Sequence, residues 1–412
     1  MQTPTRPLTI FFSAGEPSGD LHGANLIREL TAKGDVSAVG FGGPLMAAAG
    51  CRLHAELTLL AVMGILPVLA KLPQFLKLLL RADRVFRTER PDAVVLIDFP
   101  GFNWWIARRA KRHGIPVFYH VPPQIWAWYT WRVRRMRKLV DHVLCGLGFE
   151  TRWLQDRGCR ATFVGHPYFD EVRRQSLDRP FMDERRGRPG PLVAILPGSR
   201  TQEVVNNLPW QLKAAAQVRA AVPGVRFAIA AFKDSHAELA RSLAADTDLD
   251  IEVCVGKTPE LIALSTCALA VSGSVSLELM HQEKPTVIIY QVARRNRWAL
   301  ALVSVKYITL VNLLADDDPL GKRAGVLPEK ALFPEYLTCD DKSHEIAAQL
   351  VEWLTDPIAL AERVAALARL KAQVAHPGAS RRAAEYILET LGGGREIPKP
   401  HFAAALSQRA KS

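Results

Sequence analysis

Four residues, Pro197-Gly198-Ser199-Arg200, follow the apolar run Leu192–Leu196 and precede a stretch of helical character. Glycine lets the backbone approach a ligand closely, a helix N-terminus offers free N–H donors, and arginine adds a bidentate fork for phosphate. These residue types favour phosphate binding. An ordinary strand–helix turn with a surface arginine explains the same residues equally well, because strand–glycine–helix junctions are common.

A second junction of this kind, Ser272-Gly273-Ser274, lies further along the chain and is followed by Glu278 one helical turn beyond Ser274. Its hydroxyls and amides would hold another phosphate, and the Glu278 carboxylate would accept hydrogen bonds from two ribose hydroxyls. A glutamate favoured by the helix dipole is the alternative. Two junctions that feed one cleft indicate a diphosphate more strongly than either does alone.

Asp98 ends the apolar run Val94-Val95-Leu96-Ile97 in the first half of the chain. A carboxylate at the carboxyl end of a buried parallel strand lies at the mouth of a cleft. There it could take a proton from an acceptor hydroxyl, with its pKa tuned by its surroundings. The alternative role is that of a helix N-cap or turn former.

The segment Gly15-Glu16-Pro17-Ser18-Gly19-Asp20 opens the first half at a strand–helix junction. Its spacing is not that of the dinucleotide fingerprint GxGxxG, so it argues against NAD binding. Its polar residues stand where the sheet ends, and Ser18 or Asp20 could equally cap the next helix. His120 and His166 also close strand runs, where a lone histidine is more often structural than catalytic.

The elements that must position these residues are short β-rich runs alternating with longer helical patterns, which predicts α/β domains with parallel sheets. The length of 412 residues suits two domains, an N-terminal one over residues 1–170 and a C-terminal one over residues 190–345, with Arg173–Gly190 as linker. The tail Lys342–Leu391 predicts two amphipathic helices. The predicted strands are Leu8–Phe12, Ser37–Phe41, Ala93–Ile97, Pro116–His120, His142–Cys145, Thr162–Val164, Leu192–Leu196, Arg226–Ala230, Asp250–Cys254, Ala268–Val271 and Thr286–Ile289.

The composition favours an anionic binding partner but does not identify which kind. The formal net charge of +12 suits an anionic partner such as nucleic acid, an acidic membrane or a phosphorylated substrate, or only a solvated basic surface. The six cysteines include no CxxC pair, which favours a reducing compartment and no structural zinc. No signal region and no transmembrane run of about 18 apolar residues is evident, so we expect a cytoplasmic protein.

Residues 61–90 hold a membrane signal, because leucines and other apolar residues crowd together with interleaved cations. Apolar residues with snorkelling lysines and arginines suit an interfacial helix on an anionic bilayer, and they equally suit a helix packed on a sheet. The aromatic and basic stretch from Trp126 to Lys138 could extend that surface or grip an acceptor phosphate. It carries no signature of a nucleic-acid recognition module, so we expect no nucleic-acid partner.

Taken together, these segments resemble the lipid-A-disaccharide synthase family over about positions 10 to 315. The ordered set is highly specific, although each piece alone is not. The matching pieces are Ser13-Ala14-Gly15-Glu16-Pro17-Ser18-Gly19-Asp20, Gly42-Gly43-Pro44-Leu45-Met46, Val62-Met63-Gly64, Ile97-Asp98-Phe99-Pro100-Gly101-Phe102-Asn103, Ile125-Trp126-Ala127-Trp128, Phe149-Glu150, Phe163-Val164-Gly165-His166-Pro167, Leu196-Pro197-Gly198-Ser199-Arg200 and Ser272-Gly273-Ser274.

The resemblance implies a GT-B fold, with two Rossmann-like, doubly wound parallel-sheet domains, a cleft between them, and C-terminal helices at about 375–400 that pack back on the first domain. It implies an inverting transfer of 2,3-diacylglucosamine from UDP to 2,3-diacylglucosamine 1-phosphate, with no metal and no cofactor. It also implies peripheral association with the cytoplasmic face of the inner membrane, with a homodimer as an option. The implied site residues are Asp98 as base or positioning group, Glu16, Ser18 and Asp20 for the acceptor, and Gly198, Ser199, Arg200, Ser272, Gly273, Ser274, Glu278 and Asn312 for UDP.

Two other readings stay open at this point. One is a different GT-B enzyme that acts on a UDP-sugar, either another transferase or a UDP-N-acetylglucosamine 2-epimerase. The other is a non-catalytic membrane-binding protein. The chain also departs from the family pattern, with Pro17 in place of an alanine, Pro122-Pro123-Gln124 in place of a Ser-Pro-Ser run, and a lengthened segment at Ala315–Phe333.

Overall fold

The computed structural model describes residues 6–58, 72–294, 305–321 and 326–392, and every structural statement refers to these ranges. Their strands form two sheets, and every strand pair in both sheets is parallel. The strands of the first sheet are β1 Leu8–Ala14, β2 Val36–Gly42, β3 Arg52–Glu56, β4 Ala93–Ile97, β5 Val117–His120, β6 His142–Cys145 and β7 Ala161–Phe163. Those of the second are β8 Leu192–Leu196, β9 Arg226–Ala231, β10 Ile251–Val255, β11 Cys267–Ala270, β12 Thr286–Gln291 and β13 Glu335–Thr338.

Helices connect successive strands and follow the last one, as parallel pairing requires. In the first half the helices are Pro17–Lys33, Pro44–Ala48, Leu72–Thr88, Pro100–Arg112, Val133–Leu139, Gly148–Gln155, Tyr168–Arg174 and Arg179–Arg186, with a short 3₁₀ turn at Thr130–Arg132. In the second half they are Thr201–Ala221, Asp234–Ala244, Thr258–Leu264, Val275–His281, Leu310–Ala315, Ser343–Thr355, Pro357–Val374 and Ala379–Leu391, with a 3₁₀ turn at Pro328–Lys330.

Both faces of each sheet are buried, because successive strand residues point to opposite faces and both sets are apolar. In β1, Phe11 packs on one face with Val39 and Phe41. Ile10 and Phe12 pack on the other face, under the flanking helices. The alternation in β8 divides that strand between two apolar clusters in the same way. Each half of the chain therefore has its own core on both sides of its sheet.

The strand order in the two sheets repeats one pattern. The first sheet runs β3-β2-β1-β4-β5-β6-β7, and the second runs β10-β9-β8-β11-β12-β13. In each sheet the order reverses once, between β1 and β4 in the first and between β8 and β11 in the second. Connections from the two strands at such a reversal diverge to opposite faces, which leaves a crevice beyond their carboxyl ends.

The last described helix, Ala379–Leu391, returns to the first half of the molecule. Its apolar face packs against the helix Pro17–Lys33, and Lys33 pairs with Glu385 at 2.9 Å. Asp170 caps its N-terminus, where the carboxylate accepts hydrogen bonds from the backbone N–H groups of Gly378, Ala379 (3.3 Å) and Ser380 (2.8 Å). A carboxylate is stabilised there because the first N–H groups of a helix lack partners within the helix.

The structure confirms the predicted strands to within one or two residues and adds or changes three other features. The tail contains three helices rather than two, because Pro357 starts a new helix that Asp356 caps through two backbone N–H groups. The predicted linker contains the helix Arg179–Arg186, capped by Asp178. Two strands, β3 and β13, were not predicted, and both lie at the edge of a sheet.

Candidate active site

The predicted site segments follow the four strands at which the strand order reverses. Gly15–Asp20 follows β1, and Asp98 follows β4. In the second half, Pro197–Arg200 follows β8, and Ser272–Ser274 follows β11. Both crevices that the topology creates are therefore lined by residues selected from the sequence. The arrangement suits a ligand with two parts, one held by each half of the molecule.

The Asp98 carboxyl group is largely buried, and its pKa is raised to about 6, chiefly by that burial. The negative charge of Glu16 contributes to the rise, whereas a hydrogen bond from the Phe99 backbone and the positive charge of Arg200 oppose it. Glu16 belongs to the β1 crevice and Arg200 to the second half of the chain. The charges of Glu16 and Arg200 therefore both act on Asp98, one from each half of the molecule.

The three N-terminal acceptor candidates have different surroundings. Ser18 is exposed and Glu16 is half-buried at the start of the helix Pro17–Lys33. Asp20 is buried, and its carboxylate accepts hydrogen bonds from the backbone N–H groups of Gly43 (2.8 Å), Leu45 (3.0 Å) and Met46 (3.0 Å). These bonds give Asp20 a structural role at the start of the helix Pro44–Ala48.

The loop Pro197–Arg200 holds a carboxylate from its own chain. Oε2 of Glu203 accepts hydrogen bonds from the backbone N–H groups of Ser199 (3.1 Å) and Arg200 (3.2 Å). Oε1 accepts one from the Arg200 guanidinium at 3.1 Å. Gly198 has φ +115°, and a Cβ there would lie 2.5 Å from Oε2 of Glu203. The loop therefore presents converging donors to an oxyanion, and Glu203, a residue not selected from the sequence, occupies them.

The second junction presents an exposed Gly273 and Ser274, whereas Ser272 Oγ donates a hydrogen bond to the Ile308 carbonyl at 2.7 Å. Glu278 is buried, and burial raises its pKa. The Tyr168 hydroxyl, from the segment that follows the first sheet, donates to Glu278 at 2.8 Å. The candidate ribose-binding carboxylate is thus held from the other half of the molecule, by a contact that the sequence did not indicate.

Asn312 is buried, and its side-chain amide is bonded within the protein. It donates to the Phe333 carbonyl (2.8 Å) and to Glu335 (2.9 Å), and it accepts from the Phe333 N–H (2.8 Å). Glu335 also accepts from the backbone N–H groups of Ile308 and Thr309. These bonds give Asn312 a structural role that anchors the edge strand β13.

Among the described residues, no group of three or more His, Cys, Asp or Glu side chains could hold a metal ion. Two buried histidines, His22 and His120, and the half-buried His166 lie near one another behind the first crevice, and the rings of His22 and His166 are 6.4 Å apart. All six cysteines are buried and free of disulfides.

The segment 61–90 is described only from residue 72 onward, so its first part lies outside the described residues. Leu72, Leu76 and Leu80, spaced four residues apart on the helix Leu72–Thr88, are 58%, 53% and 57% exposed. Exposed Trp105, next to Arg108, is on the helix Pro100–Arg112, which packs against this one. No described helix has the length and apolar character needed to cross a bilayer.

Comparison with known proteins shows similarity over nearly the whole chain. A family model described as lipid-A-disaccharide synthetase matches residues 10–366. The chain is 34% identical over 393 residues to the lipid-A-disaccharide synthase of Anaeromyxobacter sp. (strain K), which covers 93% of this chain and 97% of that protein. It is 33% identical over 395 residues to that of Myxococcus xanthus (strain DK1622), which covers 95% of this chain and 100% of the relative.

Solved structures with low identity share the architecture. A Staphylococcus aureus MnaA–UDP co-structure superposes with a TM-score of 0.65 at 12% identity, covering 95% of this chain and 99% of that one. The glycosyltransferase of kitacinnamycin gives a TM-score of 0.59 at 18% identity, covering 94% and 99%. These likenesses concern the fold alone. With the two parallel sheets, they confirm the predicted GT-B fold.

Proposed function

The chain belongs to the lipid-A-disaccharide synthetase family, which makes it a glycosyltransferase of lipid A biosynthesis, and from this premise we propose its substrates and mechanism. The donor is UDP-2,3-diacylglucosamine and the acceptor is 2,3-diacylglucosamine 1-phosphate. The products are the β-1,6-linked disaccharide 1-phosphate and UDP. The alternatives left open by the sequence are not favoured, because the family model and the curated relatives belong to the synthases.

One observation supports this proposal most directly: Asp98 in the first half and the loop Pro197–Arg200 in the second half each follow a strand at which the order of its sheet reverses. A base and a phosphate-binding cation that face the same cleft suit a reaction between an acceptor hydroxyl and a sugar diphosphate. The acceptor would lie near Glu16 and Ser18, and the donor near the two glycine junctions.

In the proposed reaction, Asp98 accepts the proton of the acceptor 6-hydroxyl. With a pKa of about 6, its carboxyl group is mostly ionised at neutral pH and can still take a proton. The 6-oxygen forms a bond to the anomeric carbon from the face opposite UDP. The bond from that carbon to the diphosphate breaks, and its electron pair stays on the phosphate oxygen. Attack from the opposite face inverts the configuration at the anomeric carbon.

The charge that grows on the leaving diphosphate needs donors that are already oriented. The N–H groups of Ser199 and Arg200 converge on one oxyanion, and the Arg200 side chain adds a cation. For the diphosphate to use these donors, the carboxylate of Glu203 must leave them. The exposed Gly273 and Ser274 would hold the other phosphate, and Glu278 the ribose.

The experiment that tests this proposal measures disaccharide formation from purified donor and acceptor by wild type and Asp98→Asn. We expect Asp98→Asn to lose at least about 100-fold in kcat, the scale of general-base catalysis, while UDP still shifts its melting temperature. Asp156→Asn, at an exposed helix end, is the matched control and should keep wild-type activity. Absence of product from folded, UDP-binding wild-type protein would refute the assigned reaction.

We also propose that the exposed face of the helix Leu72–Thr88 rests on the cytoplasmic face of the inner membrane, from which the acylated substrates are drawn. Three exposed leucines lie along one stripe, and Lys77, Arg81 and Arg84 on the same helix are exposed. Leucines inserted at the interface bind through apolar burial, and cations attract anionic headgroups.

Sedimentation with vesicles of phosphatidylethanolamine and phosphatidylglycerol tests the membrane proposal. Leu76→Gln with Leu80→Gln should weaken binding about tenfold or more, because burial of an exposed leucine side chain contributes about 1.5–3 kcal/mol when it is complete and less when insertion is partial. Ile358→Gln, at a 71% exposed position of the second half, should bind as wild type does. Equal binding by all three proteins would contradict the proposal. A homodimer stays a prediction that light scattering tests.

A further inference from the structure

The backbone at Asp98 has an unusual conformation. Asp98 has φ +44° and Phe99 has φ +46°, and no other consecutive pair of non-glycine residues has positive φ in the described parts of the chain. Residues other than glycine rarely adopt the left-handed region of backbone conformation, so two consecutive ones persist there only where the surrounding contacts stabilise them. This conformation sets the direction in which the Asp98 side chain leaves the end of β4.

Asn103 is one of two buried side chains that hold this turn. It is fully buried one helical turn after Phe99, and its Nδ2 donates to the carbonyl oxygens of Asp98 (2.8 Å), Ile97 (3.2 Å) and Ser13 (3.2 Å). Its Oδ1 accepts from Ser13 Oγ at 2.6 Å. A single amide therefore joins the ends of β4 and β1, the two strands that Asp98 and Glu16 follow.

Tyr119 holds the same carbonyl from the neighbouring strand β5. Its ring is fully buried, and its hydroxyl donates to the Asp98 carbonyl oxygen at 2.6 Å. The Asp98 carbonyl thus has two buried donors, one from a tyrosine and one from an asparagine. Neither donor touches the carboxylate, so both act on its position through the backbone.

We propose that Tyr119 and Asn103 are positioning residues for Asp98, and that they hold its carboxylate in the buried, cleft-facing position from which it acts. The proposal rests on the proposed function of Asp98 as the base. Loss of the Tyr119 hydroxyl lets the turn relax toward ordinary φ values and the carboxylate turn toward water. A less buried carboxylate ionises more easily and lies further from the acceptor hydroxyl.

Tyr119→Phe tests this inference, because it removes one hydroxyl and keeps the ring. We expect kcat to fall about 10- to 100-fold, the scale of a displacement of about 1 Å, while KM for both substrates stays near that of wild type. The acid limb of the kcat/KM profile, which reports the base of the free enzyme, should move to lower pH. A variant that had only lost stability would keep the wild-type acid limb.

Tyr386→Phe is the matched control, because the Tyr386 hydroxyl bonds His142 at 2.9 Å at the opposite end of the first sheet. It should keep both the wild-type kcat and the wild-type acid limb. An unmoved acid limb in Tyr119→Phe overturns the inference, whatever its kcat. If Asp98→Asn is as active as wild type, the proposed base fails instead. The two failures are therefore distinguishable within one set of measurements.

Discussion

Acidification from about pH 7.5 to about pH 5 should destabilise this protein through three neighbouring histidines, the buried His22 and His120 and the half-buried His166. Their pKa values are lowered from 6.5 to about 3, about 4 and about 3 respectively, and burial is the largest cause in each case. The charge of a neighbouring imidazole contributes to each lowering, and Asp170 opposes it at His22 and His120. Between about pH 6.5 and the lowered pKa values, these three histidines are therefore protonated in the unfolded chain and neutral in the folded protein.

The sign and size follow from linkage. A lowered pKa stabilises the fold above the unfolded value of 6.5, and that stability is lost as the pH falls toward the folded value. At about pH 5 the loss is about 2 kcal/mol for each histidine, since one pKa unit corresponds to about 1.4 kcal/mol. This is a sizeable part of the roughly 5–15 kcal/mol that stabilises a typical domain.

Glu150 contributes with the opposite sign. Burial raises its pKa to about 8, although Trp126 donates a hydrogen bond to it at 2.9 Å. The folded protein holds a proton that the unfolded chain releases above its ordinary pKa of 4.5, so acidification strengthens this contribution. The wild-type curve is a sum of both effects, and the histidine contribution must be measured as a difference.

The difference is obtained from denaturant unfolding of wild type and His120→Leu between about pH 7.5 and pH 5. Neither ring nitrogen of His120 has a hydrogen-bond partner among the described residues, so an apolar side chain of similar volume should be tolerated at pH 7.5. Relative to wild type, the variant should gain about 2 kcal/mol at pH 5. His344→Leu, at an exposed histidine, should follow wild type. Parallel curves for wild type and His120→Leu would refute the reasoning.

Three further results are expected. Glu203→Gln should bind UDP about two- to fivefold more tightly in calorimetry. The Glu203 carboxylate competes with the diphosphate for the N–H groups of Ser199 and Arg200, and the variant removes its charge. Unchanged affinity would contradict this reasoning. Tyr168→Phe should lower the free energy of unfolding by about 1–3 kcal/mol, because a buried carboxylate loses a donor; unchanged stability would show the bond to be dispensable. Gly15→Ala should reduce activity, because its Cβ would lie 2.3 Å from the Phe99 ring, whereas Gly148→Ala, with open space around it, should not.

The sequence was sufficient to place the strand ends and the residues that follow them. Apolar runs with buried faces gave β1, β4, β8 and β11 to within two residues. Because the residues after these runs had the chemistry of a phosphate and sugar site, the crevices could be assigned before the strand order was known. The edge strands β3 and β13 were missed because their sequences, RLHAE and EYLT, mix polar and apolar residues and contain no apolar run.

Contacts between distant residues could not be predicted. The bonds from Tyr119 to Asp98 and from Tyr168 to Glu278 join residues 21 and 110 positions apart, and no periodicity signals either. Asp20 and Asn312 have chemistry suited to a ligand, yet the structure uses their polar atoms to hold the backbone. Glu203 was predictable in part, because a glutamate three residues after a helix N-cap is a known capping signal.

The Asp170 cap has a mechanical consequence. The chain passes between the two halves twice, once after β7 and once between the helices Pro357–Val374 and Ala379–Leu391. The carboxylate of Asp170 lies on the first passage and binds three N–H groups on the second, so the two passages are fastened side by side. Two connecting segments that are hydrogen-bonded to each other at one place act as a hinge between the two halves. We therefore expect the cleft to open by rotation about this hinge, with the widest displacement at the end farthest from Asp170, where the proposed acylated substrates would enter.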